Sequence, residues 1–588
     1  MKKDKLLTSL GILGLSAVAL AACGKGSTNN DETKSVAKFP MATPQKDVKQ
    51  GGTVKIAVET DTPFAGVFSP ELSSEDMDSQ VGAPGQEALF DSDDQYKINN
   101  KGPATFKLDS KSKTITVEIK KGVKWSDGKQ VVAKDYEFAY EILANKDTMC
   151  PRYSSQFEIL KGLKEYHEGK AKTISGIELP DGENGRKVVL HFSKLNPSMS
   201  NAGNRFMWAS AEPYHYLKDV PLTKLKSSDK VRKEPLFFGA FKVEKVVRGQ
   251  SVTWVPNTYY WRGKTKLDKI VISVVSPNSA SQAIKSHKFD VARVINTQWD
   301  QVKGTKSVNF IAQIPLSYHY LAFKVGKWDK AQSKNVENPN AKMNNQKLRQ
   351  AIGYAMNVNE VDKRYTSSLS FRVPTLVPSQ FGDFFDKNAK GYTYNLKKAN
   401  ELLDKAGYKK KGKWRVQPNG KPLTINLAAM SGDSTQEPII QNYLQQWHKV
   451  GLNVKLATGR LIEHNSFYDK VQNDDKGIDM FIAGWSMPSE PSPHTYYSES
   501  APFNMARFVT TKNNKLLDEM NSQKAFDHKY RVEKFHEWQE YMNEQAYVIP
   551  LDNSYQITAV NKKLTGLSMK PSENNNQQPL WYKVGYAK

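Results

Sequence analysis

The chain has 588 residues, with 85 Lys and Arg against 61 Asp and Glu, which gives a formal net charge of +24 at pH 7. This length corresponds to several domains, and 38% hydrophobic residues are enough to form buried cores, which excludes wholesale disorder. The mean hydropathy of −0.62 excludes a polytopic membrane protein. Two cysteines, Cys23 and Cys150, exclude a disulfide framework and a multi-cysteine zinc site.

Residues 1–22 have the pattern of a secretory signal peptide. Lys2, Lys3 and Lys5 precede an apolar stretch over 10–22, which as a helix rises about 20 Å, too short to span a bilayer. The stretch ends in Ala22 and Cys23, in a sequence that resembles the bacterial lipobox. We therefore expect Cys23 to carry a diacylglyceryl group and to become the new N-terminus, which gives stable membrane anchoring. The alternative is an ordinary secretory signal followed by a chance cysteine.

The segment from residue 24 to about residue 50 is rich in Ser, Thr, Asn and Lys and has almost no apolar periodicity. It predicts a flexible tether, so that residues 23–50 link the lipid to a body on the extracellular face of the cell membrane, in a Gram-positive-type envelope. Only 14 of the basic residues are Arg. A lysine-rich excess is typical of a solvated basic surface facing an anionic envelope rather than of a nucleic-acid site.

The first part of the chain is rich in predicted strands. Asp135 is suited to cap a helix. Apolar residues on one face of that helix follow at Tyr136, Ala139, Tyr140 and Leu143. Runs of residues that favour strands predict β-structure over 114–120, 187–192, 241–247 and 270–275.

The second part alternates helices and strands. One helical stripe contains Leu348, Ala351, Ile352, Ala355 and Met356, and another contains Ala399, Leu402, Leu403 and Ala406 and is stopped by Gly407. From residue 424 the predicted order is a strand over 425–427, a helix over 439–450 ended by Gly451, a strand over 454–456 and a buried strand over 480–482. This order predicts an α/β lobe.

The candidate motifs for catalysis and cofactor binding each lack a residue or a spacing that the chemistry requires. The glycine and lysine spacing from Gly407 to Lys413 matches a phosphate loop, but Trp414 stands where a hydroxyl would hold Mg²⁺. The ten histidines are never closer than the eight residues between His528 and His536, so no helical pair can bind one metal ion. We expect no catalytic residue, metal or cofactor, which favours a binding protein over an enzyme.

Several motifs together resemble one known family. They run in the family's order along the chain and comprise Val123-Lys124-Trp125-Ser126-Asp127-Gly128, Gly239-Ala240-Phe241, Leu348-Arg349-Gln350-Ala351-Ile352, Ala406-Gly407-Tyr408 and Ala483-Gly484-Trp485. The chain is similar to the family 5 extracellular solute-binding proteins, the oligopeptide-binding lipoproteins of ABC importers. Trp485-Ser486 with Ser489-Glu490-Pro491 is most similar to the lactococcal-type peptide binders.

The resemblance implies an α/β, two-lobed fold like that of periplasmic binding proteins, type II with mixed sheets, plus an extra α/β domain. Lobe I is expected over 51–88, 205–305 and 553–588, the extra domain over 89–204 and lobe II over 306–552. Such a protein binds an oligopeptide between its lobes, closes by a hinge and presents the peptide to the membrane permease. We expect it to act as a monomer.

The resemblance also places a ligand-binding strand segment over six residues: Trp485, Ser486, Met487, Pro488, Ser489 and Glu490. Backbone pairing with such a segment gives affinity without sequence choice. In enteric relatives an Asp three residues after this Trp binds the ligand's amino terminus, and an Arg three residues before it binds the carboxylate. Here Pro488 and Ile482 occupy those positions, so a fixed short ligand length is not expected. Lys470 and Glu490 are alternative anchors.

Three aromatic residues near the predicted lobe edges, Phe64, Tyr318 and Tyr320, are further candidates for ligand contact and equally for the core. The function has alternatives as well. Within the binding class, the protein is either a general oligopeptide receptor or a dedicated receptor for a signalling peptide or another solute. A different class is a wall-associated adhesin or an enzyme on the same anchor, since fold alone does not determine function.

Overall fold

The computed structural model describes residues 39–588 except 61, 62, 74, 75, 149 and 433. The predicted signal peptide, Cys23 and the tether up to residue 38 lie outside the described residues. Within this part of the chain, no helix has both the length and the apolar character needed to cross a membrane. Three larger sheets organise the described residues, and we use them to define lobe I, the extra domain and lobe II.

Lobe I carries a seven-stranded mixed sheet. Its strands lie in the order Val308–Gln313, Gln556–Asn561, Val291–Val294, Thr53–Glu59, Lys269–Val275, Ser251–Pro256 and Phe241–Val247. The strand Thr53–Glu59 is parallel to Lys269–Val275, and Gln556–Asn561 is antiparallel to both of its neighbours. The predicted strands over 241–247 and 270–275 are confirmed, the second beginning one residue earlier.

The chain leaves lobe I later than the sequence predicted. Residues from 306 onward were expected in lobe II, but Val308–Gln313 pairs along its length with Gln556–Asn561. Ile311 and Ala312 are buried in cores that also contain residues of Gln556–Asn561. The crossing into lobe II therefore follows Gln313, because this strand is paired within the sheet of lobe I.

Residues 39–50 are not a free tether, so the predicted tether ends too late. Ala42 forms a β-bridge with Ser568, and Val48 forms one with Ala587. The Thr43 side chain is buried and donates a hydrogen bond to the Leu567 carbonyl (3.1 Å). The two bridges are made by the backbone, which is why the polar composition of the segment did not reveal them.

The extra domain carries a four-stranded antiparallel sheet with the order Ala104–Asp109, Thr114–Ile119, Lys187–His191 and Ile177–Glu178. Its helix begins at Ala133 and ends at Ala144, so it starts two residues before the predicted cap. Asp135 lies in the first turn, where its carboxylate accepts hydrogen bonds from the Val132 N–H (3.0 Å) and from Trp125 Nε1–H (2.8 Å). Trp125 thus joins the turn to the helix as a buried core residue.

Lobe II carries a five-stranded sheet with the order Asn453–Leu456, Thr424–Ala429, Met480–Ser486, Ser317–Phe323 and Val548–Pro550. The predicted strand, helix and strand are confirmed as Thr424–Ala429, Gln436–Lys449 and Asn453–Leu456. Gly407 and Gly451 follow helix ends with positive φ angles of 83° and 82°, the conformation that favours glycine there. The other longer helices are Gln346–Tyr354, Val358–Tyr365, Leu396–Lys405, His464–Gln472, Thr511–Glu519 and His528–Gln545.

Shorter elements connect these sheets. The short helices are Asp76–Gly82, Leu163–His167, Tyr214–Leu217, Asp229–Arg232, Ala280–Lys285, Trp299–Val302 and His494–Tyr497. Two-stranded pairs are formed by Asp91–Ser92 with Ile98–Asn99, Gly326–Asp329 with Lys334–Glu337, Ser370–Arg372 with Asp552–Ser554, Lys410–Lys411 with Trp414–Arg415, Leu564–Thr565 with Gly585–Tyr586, and Asn574–Asn575 with Gln578–Pro579.

Candidate ligand-binding cleft

A cavity of about 660 Å³ lies where the three domains meet. Its volume is in the range of ligand pockets, which are mostly apolar with a few placed polar groups. Lobe II contributes Pro488 and Phe503, and the other two domains contribute aromatic and charged residues that include Phe68, Arg152, Tyr153, Phe157, Arg205, Trp208, Glu212 and Phe237. The cavity is therefore shared between lobes.

The strand Met480–Ser486 has one paired edge and one edge that is paired only in part. Tyr318 lies opposite Trp485 on the antiparallel strand Ser317–Phe323, and pairing continues along the whole strand. On its other side the parallel strand Thr424–Ala429 reaches only as far as Ile482. The last four residues of Met480–Ser486 thus extend beyond this neighbour.

The alternation of backbone groups shows which atoms lie on the open edge. The carbonyl of His319 accepts a hydrogen bond from Leu551 N–H (2.8 Å), so its backbone faces away from Met480–Ser486. Tyr318 and Trp485 therefore form a hydrogen-bonded pair, because facing alternates along a strand. The N–H and C=O groups of Gly484 and Ser486 then point to the open edge, where the Ser486 carbonyl also accepts a hydrogen bond from the Tyr496 hydroxyl (3.4 Å). An extended peptide pairs with an edge of this kind.

The side chain of Trp485 connects this edge to the cavity. Its ring is stacked on Tyr320 at a centroid distance of 5.8 Å and contacts Phe503 edge-on, also at 5.8 Å. Phe503 is 41% exposed, which is unusual for a large apolar side chain in the described residues. Trp485 is half-buried, and it reaches the cavity through its contact with Phe503, which lines it.

The other residues of the predicted segment differ in what they expose. Ser486 is exposed and Pro488 lines the cavity. Met487 is buried, and its N–H donates to the Leu316 carbonyl (2.7 Å). Ser489 is buried next to Gln577, whose Nε2 lies 3.4 Å from the Ser489 hydroxyl. Trp485, Ser486 and Pro488 are the members of the segment that keep exposed surface, and of these three Pro488 lines the cavity.

Glu490 is occupied by contacts within the protein. Its carboxylate accepts hydrogen bonds from the Ser198 hydroxyl (2.5 Å) and the Ser492 N–H (2.7 Å), and Arg531 Nη2–H donates to the same Ser198 hydroxyl (2.5 Å). Burial raises the pKa of Glu490, while Ser198 and Arg531 oppose the shift. Burial lowers the pKa of Arg531 to about 10. Glu490 therefore joins lobe II to the extra domain in this conformation.

The other alternative anchor, Lys470, makes a local ion pair. Its ammonium lies 3.0 Å from a carboxylate oxygen of Asp475, five residues along the chain, and the side chain is 41% exposed. The pair is of the solvated surface kind, which contributes at most about 1 kcal/mol to stability. Nothing in this geometry directs Lys470 to the cavity.

The three aromatic candidates lie in the cores of the lobes. Phe64 is 1% exposed and packs in the core of lobe I. Tyr318 and Tyr320 are buried in the core of lobe II, with the Tyr318 hydroxyl 2.9 Å from the Tyr497 hydroxyl. The core interpretation that the sequence left open is the one that matches this placement, and none of the three lines the cavity of 660 Å³.

Sequence reasoning missed the cavity residues outside lobe II. Arg152 and Arg205 line the cavity, and neither guanidinium lies within 4.0 Å of a carboxylate of the described residues. Glu212 and Trp208 lie on the same wall. These side chains come from loops without periodicity, so no spacing signal identified them. The described residues contain no cluster of three or more His, Cys, Asp or Glu suited to a metal ion.

Comparison with known proteins identifies relatives of the whole chain. The sequence is 38% identical to the oligopeptide-binding protein OppA of Lactococcus lactis subsp. lactis, over 100% of this chain and 99% of that protein. It is 23% identical to the oligopeptide-binding protein AppA of Bacillus subtilis (strain 168), over 93% of each.

Solved structures agree with these relationships. Lactococcal OppA, complexed with an endogenous peptide in the closed conformation, superposes with a TM-score of 0.77 at 38% identity, covering 91% of this chain and 100% of that chain. AppA from Bacillus subtilis in complex with a nonapeptide shares the fold, with a TM-score of 0.67 at 20% identity, covering 92% of this chain and 100% of that chain.

The family assignment follows from a match over most of the chain. Residues 89–507 match the profile of the bacterial extracellular solute-binding proteins, family 5 middle region. This match and the lactococcal structure confirm the resemblance and the two-lobed α/β fold expected from the sequence. The chain is therefore a member of the family 5 bacterial extracellular solute-binding proteins.

Proposed function

We propose that this protein is a cell-surface receptor that binds oligopeptides between its two lobes and delivers them to the permease of an ABC importer. The observation that carries the proposal is the open backbone edge at Gly484 and Ser486, next to a cavity of about 660 Å³ shared by all three domains. The relatives named as oligopeptide-binding proteins, one with an endogenous peptide bound, support the same ligand class.

The site is suited to ligands of varied sequence. Each backbone hydrogen bond to the edge contributes only about 0.5–1.5 kcal/mol, so affinity also requires burial of ligand side chains. The apolar surfaces of Trp485, Phe503 and Pro488 provide that burial at about 25 cal/mol per Å² of apolar area. The backbone contacts are common to all peptides, which favours a general receptor over one dedicated to a single signal.

The receptor role includes several features that follow from the sequence. We propose that Cys23 is the lipid-bearing N-terminal residue of the mature protein, that the body works as a monomer on the extracellular face of the membrane, and that it catalyses no reaction. Membership of a solute-binding family supports this reading. The permease, rather than the receptor, then carries the peptide through the membrane.

The test uses purified protein freed of bound peptide by unfolding and refolding. Nonapeptides should raise the melting temperature by mass action and compact the particle in small-angle scattering as the lobes close. Pairing with the open edge makes a sharper prediction. N-methylation of alternate peptide nitrogens should weaken binding at least tenfold in one register and much less in the other. Unchanged melting and scattering at saturating peptide would refute the proposed ligand class.

A further inference from the structure

A buried carboxyl group in the wall of the cavity, away from the strand Met480–Ser486, contacts a second buried carboxyl group that does not itself line the cavity. Glu212 lines the cavity and is 6% exposed, and its Oε1 has no hydrogen-bond partner among the described residues. Glu71 interacts with it directly and is fully buried. The pair lies where the loop after the strand Thr53–Glu59 meets the extra domain.

The donors around Glu71 are neutral. Trp208 Nε1–H donates to Glu71 Oε1 (2.5 Å), and the Ser69 hydroxyl donates to Oε2 (2.9 Å). No Lys, Arg or His nitrogen of the described residues lies within 4.0 Å of Glu71 or Glu212. The lone pairs of Glu71 are therefore engaged, while Glu212 Oε1 remains without a donor.

The charges that surround Glu212 do not neutralise it. Burial and the neighbouring charge of Glu71 raise the pKa of Glu212 well above its ordinary value, and Asp135 adds to the shift. Arg152 and Arg205 line the same cavity, and the Cys150 thiol donates to the Glu71 backbone carbonyl (2.9 Å). Burial next to a second carboxyl group thus favours the protonated form of Glu212.

We propose that Glu71 and Glu212 form a subsite for a positively charged group of the ligand, an ammonium or guanidinium from a Lys or Arg side chain or from the amino terminus. This inference rests on the proposed peptide-binding function. When the cation enters, the O–H bond of the protonated carboxyl breaks, the proton passes to solvent, and the ligand's N–H groups donate to the carboxylates instead. The buried Glu212 carboxyl group, which lacks a hydrogen-bond donor at Oε1, is thereby replaced by a carboxylate that is paired with the ligand's cation and hydrogen-bonded to it.

The walls of the cavity fit the stem of such a side chain. The rings of Phe157 and Trp208 both line the cavity and contact each other at 6.1 Å. Methylene groups of a Lys or Arg side chain pack on such surfaces while the charged head reaches a polar group. The subsite also supplies a charged anchor for the ligand, and this anchor lies outside lobe II. Within lobe II, Pro488 and Ile482 offer no charged group.

The test uses two matched sets of nonapeptides built from Ala and Val. In one set a single lysine is placed at each position in turn, and in the other set norleucine takes the place of that lysine. Norleucine keeps the apolar stem and lacks the charge. Each peptide is used with a free and an acetylated amino terminus, which separates a side-chain cation from the terminal ammonium. Wild-type protein should favour lysine over norleucine, or the free over the acetylated terminus, at least tenfold at one position.

The variant Glu212→Gln should lose this preference and bind the norleucine peptides as the wild type does. Its amide donates to Glu71 as the protonated acid does, so the fold and the melting temperature should be kept. Glu183→Gln removes an exposed carboxylate of the extra domain and should keep the preference. Calorimetry at pH 7 in phosphate and in Tris should show release of up to one proton per bound lysine peptide, and none for norleucine or for Glu212→Gln.

The outcomes separate the two claims. Equal affinity of all lysine and norleucine peptides, free and acetylated, would overturn the subsite and leave the receptor function intact. A lysine preference that survives in Glu212→Gln would also overturn it. Failure of every peptide to bind would overturn the receptor function together with the subsite.

Discussion

The side-chain hydroxyl of Ser198 donates a hydrogen bond of 2.5 Å to a carboxylate oxygen of Glu490. Ser198 lies in the extra domain and Glu490 in lobe II, so the bond crosses the cleft between them. Arg531 of lobe II donates to the same hydroxyl, and Gln156 donates to Thr495 across the same boundary (3.1 Å). An opening of the cleft between the extra domain and lobe II would break these contacts.

We therefore expect Ser198→Ala to weaken peptide binding. The change leaves a buried carboxylate and a buried guanidinium each short of one partner in the closed form, at a cost of about 1–2 kcal/mol. This corresponds to an affinity about tenfold lower, with most of the effect in the dissociation rate. The control Ser193→Ala removes an exposed hydroxyl that bonds within the extra domain. Equal dissociation rates for both variants and the wild type would show that Ser198 does not hold the cleft closed.

Arg262 is predicted to be essential for the stability of lobe I and the extra domain. Its guanidinium donates to Glu87 (2.9 Å) and to both oxygens of Asp91 (2.9 and 2.7 Å), and all three side chains are at most 10% exposed. Arg262→Met leaves two buried acids without a cation and should lower the free energy of unfolding by about 3–5 kcal/mol. Urea denaturation measures this loss. The exposed Arg248→Met should change stability by less than about 0.5 kcal/mol.

Local patterns predicted the elements of lobe II because their signals lie within a few residues. The strand Thr424–Ala429, the helix Gln436–Lys449 and the strand Asn453–Leu456 are each visible as a short apolar period followed by a glycine or a turn. The strand Met480–Ser486 was placed at the ligand by family resemblance. Its open edge exists because the neighbouring strand Thr424–Ala429 ends opposite Ile482. The sequence predicted that neighbour only over 425–427, so it did not define where the open edge begins.

Long-range pairing could not be predicted in the same way. The strand Val308–Gln313 belongs to lobe I because of a partner more than 200 residues away, at Gln556–Asn561. Glu71 and Glu212 belong to different loops, and neither has a motif around it. Backbone contacts of residues 39–50 leave no side-chain pattern. These features depend on which distant segments meet, which composition and periodicity do not encode.

Lys324 should make stability depend on alkaline pH. Its ammonium is buried and contacts the Asp474 carboxylate and the carbonyls of Val471 (3.1 Å) and Met505 (2.9 Å). Burial lowers the pKa of Lys324 to about 8, although Asp474 opposes the shift. The unfolded chain, with a lysine pKa near 10.4, then binds more protons than the folded one between pH 8 and 10. The contribution of Lys324 to stability therefore rises with pH in this window.

The measurement compares wild type with Lys324→Met, in which Asp474 keeps its hydrogen bond from Arg507 Nε–H (2.8 Å). The free energy of unfolding of the wild type minus that of the variant should rise by about 2 kcal/mol from pH 7 to pH 10. A difference that stays constant over this range would show that Lys324 keeps an ordinary pKa in the folded protein.

Replacement of Cys23 should release the protein from the membrane. Cys23→Ala removes the thiol that accepts the lipid, so the protein should move from the membrane fraction to the culture medium. Cys150→Ala keeps the anchor and serves as the control. Cell fractionation at high salt distinguishes lipid anchoring from electrostatic attachment of a basic protein. Retention of Cys23→Ala at high salt would contradict the proposed anchor.

Peptides longer than nine residues should bind as well as a nonapeptide does. Pro488 and Ile482 leave the strand segment without charged groups for either ligand terminus, so the ends of a long peptide can remain in water. Extension of a nonapeptide by four uncharged residues at its carboxyl end should change the Kd less than threefold in calorimetry. A matched tetrapeptide core should bind at least tenfold more weakly, because it makes fewer backbone bonds. A sharp optimum at one length would point to a terminal anchor.

The attachment of residues 39–50 to lobe I bears on which lobe the proposed lipid anchor would hold near the membrane and which lobe would move. Phe39 packs between the rings of Trp299 and Tyr555, at 5.6 and 5.2 Å. Sixteen positions separate it from the proposed anchor at Cys23, and they cannot span more than about 55 Å even when fully extended. With the proposed anchor at Cys23, lobe I would be held within this distance of the bilayer. Lobe II would then be the lobe that moves, and each capture and release of a peptide would occur close to the permease.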